Sequence, residues 1–320
     1  MRAVVYERYG GPEVLELRDV PVPTPGAGEV LVEIVATSIN LSDWENLRGT
    51  PAYARIAGGL RRPTRTVLGT DIAGRVAAIG AGVTRFAVGD ELYGDNLPRG
   101  GGFAEYVAVP ESALAIKPAG LTFVQAAAIP QAAAIASHAV ALAAPGSRML
   151  INGAGGGAGS FAIQLAVAKG VRVSGVDNAG KLAYLRELGA EEVIDYRSDD
   201  FTRHGPFDLI VDLVAHRSVF AYRRALARSG RCAIVGGTVP SLLRVLTLGP
   251  LVGALTGAHI SVRYVREGPA YFASVAEKCA SGSIDIHIDR VFGLEDVPAA
   301  LAWHGEGRAL GKVVVAVRDA

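Results

Sequence analysis

Two cysteines in 320 residues, Cys232 and Cys279, cannot staple a fold, so no disulfide framework is expected and a reducing cytoplasm is the easier home. Charge of one sign is missing as well. Lysine and arginine number 32 against 31 aspartates and glutamates, a formal net charge of +1. The longest basic concentration, Arg61, Arg62 and Arg65, is short and has no interleaved aromatics, so no nucleic-acid partner is expected. The opening MRAVVYERYGG lacks the apolar core of a signal peptide, and no secretory leader is expected there. The longest apolar stretch, from Leu242 to about Val262, is broken by Arg244, Pro250 and several glycines. It reads as a buried or subunit-facing helix followed by a strand rather than a membrane span, and no membrane partner is expected. Metal ligands are sparse: none of the six histidines, His138, His204, His216, His259, His287 and His304, forms a close-spaced pair, and both cysteines stand alone.

What is present is apolar bulk and glycine. Half the residues are hydrophobic, and 320 residues suffice for two domains with substantial cores. Up to about residue 120, short β-branched runs such as EVLVEIVATSI alternate with Gly/Pro turns such as PVPTPGAGE, the pattern of an antiparallel, loop-rich domain. Beyond it the strand candidates RMLIN, VRVSGV, EEVID, FDLIVD, RCAIVGG and HISVRYV are separated by helical patterns, which implies right-handed crossovers and a doubly wound parallel sheet. The tail ends in GKVVVAV, a strand able to return to the first domain.

The stretch INGAGGGAGSFAIQLAVAKG follows the strand candidate RMLIN and opens an amphipathic helix with a capping glycine at Gly170. Gly153, Gly155 and Ala158 satisfy the dinucleotide template with its permitted alanine, and Gly156, Gly157 and Gly159 add further positions without a bulky side chain. Missing β-carbons let the backbone approach a pyrophosphate, whose charge is met by unpaired amides and the helix dipole. Asp177 ends the second strand about 20 residues on, where an acid accepts from both ribose hydroxyls and repels a 2′-phosphate, which points to NAD. Lys181, Tyr196 and Arg308 could instead surround a phosphate. Both NAD(H) and NADP(H) stay open, with NADPH favoured.

Taken together, GGPEVLEL, SINLSDW, VLGTDIAGRVAAIGAGVTRFAVGDELYG, GGFAEYVAVP, AAAIPQAAAIASHAV, the glycine loop and LGAEEVIDYRSDDF resemble the medium-chain dehydrogenase/reductase superfamily, and within it the zinc-independent quinone oxidoreductases and enoyl reductases. The resemblance spans essentially the whole chain. It implies an α/β architecture: a GroES-like β-barrel catalytic domain over residues 1–122 and 265–320, and a Rossmann domain over 123–264, with the cofactor held between them. Zinc alcohol dehydrogenases of this superfamily have Cys where Asn40 stands and Gly-His-Glu where Gly69-Thr70-Asp71 stands, so no zinc is expected. Without that Lewis acid, an already activated acceptor is expected, a quinone or an α,β-unsaturated carbonyl that takes hydride from a nicotinamide, with an NAD(P)-dependent alcohol or aldehyde dehydrogenase and a dinucleotide-binding redox sensor without turnover as the alternatives.

By the same resemblance the segment INLSDWENLRGTPAY borders nicotinamide and substrate. Asn40 is then a catalytic and cofactor-orienting candidate through its amide, and Asp43 matches the family's acid or serves as a local helix cap. Tyr53 is the candidate proton donor, with a packed loop tyrosine or a water donor as alternatives. His216, after the fourth Rossmann strand, is expected to touch a cofactor ribose, to cap the strand end or to face solvent. Gln131 reads as an incidental polar residue on a packing helix. An edge strand near His259–Val265 suggests a homodimer.

Overall fold

The computed structural model describes residues 1–318 and divides into two units, Met1–Ala134 with Glu267–Ala320, and Ile135–Arg266. The first unit opens with β1 (Arg2–Val5) antiparallel to β2 (Glu16–Asp19). Its main sheet is organised around β3 (Glu29–Ile39), whose β-branched sequence is buried along almost its whole length. β3 pairs antiparallel with both β4 (Asp71–Ile79) and β6 (Tyr106–Pro110). β5 (Glu91–Asp95) continues the sheet from β4 to β7 (Leu114–Ile116). Because residues alternate across the pleat, Val30, Val32 and Ile34 meet Ile72, Leu92 and Phe103 in one apolar core.

Helix α1 (Leu41–Arg48) starts where β3 ends. Asn40 is its N-cap, the Asp43 carboxylate accepts from the Asn40 backbone N–H at 2.9 Å, and Gly49 closes it at φ 58° in the left-handed region. After α2 (Ala52–Gly58) come α3 (Phe123–Ala127) and α4 (Pro130–Ala141), with the division between units falling inside α4. The boundary therefore lies about a helix later than the expected 122/123. The reason is local: Phe123 is buried beneath the Arg75 guanidinium of β4, and the Gln131 N–H donates to Asp71 at 2.9 Å, so this stretch belongs to the first unit.

The second unit is a six-stranded, all-parallel sheet: β8 (Arg148–Asn152), β9 (Arg172–Asp177), β10 (Glu192–Asp195), β11 (Phe207–Asp212), β12 (Leu226–Ile234) and β13 (His259–Val262). Their spatial order is β10-β9-β8-β11-β12-β13, all neighbours parallel, so the chain winds one way from β8 and then the other. The connecting helices are α5 (Gly157–Ala168), α6 (Leu182–Glu187), α7 (Val219–Ala225) and α8 (Val239–Thr256). Of the two readings of helix α8, buried or subunit-facing, the first does not hold within the chain: Leu243, Leu246, Leu251 and Leu255 are all exposed.

The tail returns as expected. After α9 (Pro269–Ala280), β14 (Ile288–Gly293) and α10 (Val297–Gly305), β15 (Lys312–Ala316) pairs parallel with β14 and antiparallel with β3, Val313 opposite Ile39.

Candidate functional site

In the second unit the glycine loop lies at the carboxyl end of β8, beside the point where the strand order reverses. Gly153 turns the chain at φ 84°, and Gly156 is the N-cap from which α5 starts. A β-carbon on Gly159 would stand 2.5 Å from the carbonyl oxygens of both Gly153 and Ala154, so the helix packs on the loop at a distance only glycine permits. The Gly156 position is open: its nearest neighbour would be 3.6 Å from an added β-carbon. These residues fit a dinucleotide pyrophosphate, since the loop ends at a helix N-terminus with a small-residue surface.

Asp177, Lys181 and Tyr196 come together beside this loop. The Asp177 carboxylate accepts from the Gly155 N–H at 2.9 Å and from the Asn178 N–H at 2.9 Å, and the Lys181 ammonium lies 3.7 Å away. Both side chains are largely buried, and the pair is close to neutral as a unit. Tyr196 follows β10, its N–H donating to the Asp177 carbonyl at 3.2 Å and its ring exposed under Arg197. Arg308 belongs to the first unit, where it pairs with Glu306 at 2.8 Å and stacks on Trp303. His216 is exposed in the turn after β11. At the same carboxyl ends, the Asn152 amide donates to Asp212 at 2.8 Å, and the other Asp212 oxygen accepts from the Tyr222 hydroxyl at 2.7 Å. That tie between β8 and β11 at the switch point escaped the sequence reading, although polar residues ending two apolar strands were its signal.

The first unit holds a buried polar cluster where β3, β4 and β15 end or begin. Lys312, 4% exposed, donates to Asn40 Oδ1 at 2.7 Å and pairs with Asp71 at 3.3 Å. The Asn40 amide nitrogen donates to Thr70 Oγ1 at 3.1 Å and to Asp71 Oδ2 at 2.9 Å. Ser38 Oγ gives Asp71 Oδ2 a further bond at 2.8 Å. Every polar atom of the Asn40 amide is thus engaged inside the unit, which makes it a positioned scaffold element and leaves no free N–H for a substrate carbonyl. Gln131 is no incidental polar residue either: besides its backbone bond to Asp71, its carbonyl oxygen accepts from Ser42 Oγ at 3.2 Å. Asp43 caps α1 and also accepts from the Gly69 N–H at 3.0 Å; burial raises its pKa to about 7, against the pull of those two bonds. Burial and the neighbouring Asp71 and Glu267 likewise raise Asp95 well above the usual carboxyl range.

Tyr53, on α2, donates to Glu45 of α1, 3.0 Å from each carboxylate oxygen. Burial lifts Glu45 to about 7 and, with the adjacent carboxylate, lifts Tyr53 above its ordinary value. Glu45 and Lys312 went unnoticed in sequence. Lys312 had a signal: a charge that opens the apolar strand KVVVA must be paired once buried.

The donors around Asn40 and Thr70 do not fit a catalytic zinc. The two side chains bond each other, and among the described residues no three His, Cys, Asp or Glu side chains gather to hold a metal. Cys232 and Cys279 lie in different units, and burial drives both thiols up, Cys279 to about 12.

A GroES-like antiparallel unit and a Rossmann unit with a glycine-rich dinucleotide loop define a nicotinamide-dependent oxidoreductase. Comparison with known proteins agrees. Residues 26–119 match the alcohol dehydrogenase GroES-like domain family, and residues 188–315 the family described as zinc-binding dehydrogenase. A chloroplastic quinone-oxidoreductase of Triphysaria versicolor is 28% identical over 98% of both chains. The solved structure of the quinone oxidoreductase from Coxiella burnetii covers 99% of each chain at 28% identity with a TM-score of 0.90. A solved NAD-dependent alcohol dehydrogenase covers 99% of this chain and 100% of its own at 31% identity, TM-score 0.85. The chain belongs to the medium-chain dehydrogenase/reductase superfamily, where it is similar to the quinone oxidoreductases.

Proposed function

We propose that this protein is a zinc-independent reductase that passes a hydride from NADPH, or less readily NADH, to a quinone or an α,β-unsaturated carbonyl. The observation that carries the reading is the Asn40–Thr70–Asp71–Lys312 cluster, which fills with hydrogen bonds the positions where metal-dependent relatives place zinc ligands. With no Lewis acid to acidify an alcohol, the chemistry falls to acceptors whose conjugated carbonyl delocalises the incoming charge. The dinucleotide supplies the hydride when bound. The glycine loop from Gly153 to Gly159 holds the pyrophosphate, and Lys181 is the cation available to a 2′-phosphate once it turns from Asp177. Tyr53 is the proton donor to the reduced acceptor, giving up its hydroxyl proton as it takes one from Glu45, whose carboxyl burial keeps protonated up to about pH 7.

The test is anaerobic oxidation of each nucleotide by 1,4-benzoquinone and a panel of enones in the presence of a chelator. Turnover that survives chelation supports the reading; turnover only of an alcohol, or only after metal is added, moves the protein to the alcohol dehydrogenase class that one of its relatives represents. Lys181→Ala is expected to lower NADPH efficiency about tenfold or more with little effect on NADH.

The edge of β13, which among the described residues pairs with β12 alone, supports homodimerisation by strand pairing. A monomer in sedimentation equilibrium at micromolar concentration removes that reading.

A further inference from the structure

Residues 213–266 contain eight arginines and not one Asp, Glu or Lys. The near-zero charge of the whole chain conceals this asymmetry, and the sheet order gives it a location. This stretch supplies α7, β12, α8 and β13, one entire flank of the second unit, whereas most of that unit's acids lie toward β9 and β10 on the opposite flank. Arg217 and Arg224 reach across to Asp200; Arg228, Arg231, Arg244 and Arg263 are exposed with no acid in their own stretch.

Helix α8 runs along this flank for 18 residues, about 27 Å. Its inner face is fixed to the sheet. A β-carbon on Gly249 would stand 2.5 Å from the Ile260 carbonyl and one on Gly253 2.7 Å from that of Ala258, so the helix lies against β13 and runs antiparallel to it. Its outward half carries Leu243, Leu246, Leu251 and Leu255 at 54, 60, 60 and 86% exposure, a broad apolar face spread over about half the helix circumference. Arg244 projects from within that face, near the line of Leu251 and Leu255, and Arg228 lies at the helix's far end, where its carbonyl adjoins the helix-capping Gly257.

An exposed leucine face accompanied by arginines that have no acid in their own stretch matches the surface of an anionic lipid bilayer: the leucines enter the acyl boundary and the guanidinium groups meet phosphate headgroups. We infer that α8 docks the second unit flat onto an anionic membrane surface, with the helix in the interface and not across it, since spanning would strip Val245, Gly249 and Val252 from the core. This departs from the expectation of no membrane partner. A second copy fits less well, because an isologous contact would set arginine against arginine with no acid from this stretch between them.

The test is co-sedimentation of the full chain with vesicles of phosphatidylcholine alone and of phosphatidylcholine mixed with phosphatidylglycerol. Binding to the mixed vesicles only is expected. Leu246→Ser with Leu251→Ser should lower partitioning about tenfold or more, and Arg228→Gln with Arg244→Gln about thirtyfold, some fivefold for each charge. All four positions are exposed, and unchanged circular dichroism checks the fold. Failure to sediment with either vesicle overturns the inference, as does partitioning indifferent to the leucine pair. A vesicle-free dimer abolished by the leucine pair would instead assign the leucine face to a second copy. Retardation of a DNA duplex lost only with the arginine pair would assign the flank to nucleic acid, and either result refutes the bilayer.

Discussion

Lys312→Met is the most informative single perturbation of the first unit. It removes a 4% exposed ammonium that bonds Asn40 at 2.7 Å and Asp71 at 3.3 Å, while the methionine stem fills nearly the same space. Asp71 keeps its bonds from Ser38, Asn40 and the Gln131 N–H, so its charge stays partly solvated by the protein. Breaking one partner out of a buried ion pair costs about 3–5 kcal/mol, and the three surviving bonds put this case near the lower figure. Adding Asp71→Asn removes the stranded charge, and the double variant should recover about 1–2 kcal/mol relative to the sum of the single ones. The assay is built into the composition: the only two tryptophans, Trp44 and Trp303, both lie in the first unit, so urea unfolding followed by their fluorescence reports that unit. Single costs below about 1 kcal/mol, or singles that simply add, would show that the pair is not coupled and refute the account of the cluster. Asn40→Asp should lower stability as well, because a carboxylate keeps the contact with Lys312 but cannot donate to Thr70 and Asp71 and sets a second buried charge against Asp71.

Gly159→Ala should weaken dinucleotide binding about tenfold or more while leaving the first unit's unfolding unchanged, since the added methyl meets two backbone oxygens at 2.5 Å and must push α5 away from the loop; nucleotide fluorescence titration measures it. Stability of the first unit should decline as pH rises. Asp43 and Glu45 are raised to about 7 and Asp95 is raised well above its ordinary value, so the folded state holds protons that the unfolded chain has already released. Their contribution is full below the ordinary carboxyl range and is lost as pH climbs through about 7, opposite in sign to a salt-bridged acid. Urea midpoints by tryptophan fluorescence between about pH 5 and pH 8 should fall, and Glu45→Gln should flatten the slope; a midpoint that rises across this window contradicts the assignment.

Much of the fold was legible because it repeats a period. The alternation of apolar strands with helical patterns specified the parallel sheet, and Gly153, Gly155 and Ala158 between a strand and a helix specified where a dinucleotide meets it. Tyr53 could be singled out as a candidate donor, but its partner Glu45 could not: their hydrogen bond depends on how α1 and α2 turn about Gly49. Asp43 as a helix cap was readable from its three-residue spacing to Asn40, whereas the Asn40–Lys312 bond joins residues 272 apart and exists only because β15 pairs with β3. Local spacing exposes caps and loops; strand pairing between distant segments stays hidden until the sheet is known.

The second unit makes the same point for charge. Counted over the whole chain the charges cancel, and nothing basic stands out. The acid-free run from 213 to 266 is visible in the letters, yet a run of sequence is not a surface until the order β8-β11-β12-β13 collects it on one flank and the glycines at 249 and 253 clamp α8 there with its leucines outward. A helix apolar enough to be taken for core is then held in place by a thin inner stripe, and the physics left to explain is why a unit that spends Val245, Gly249 and Val252 on anchoring leaves four leucines facing out between arginines. Burial in the fold does not account for those four, and a bilayer contact of the kind proposed does.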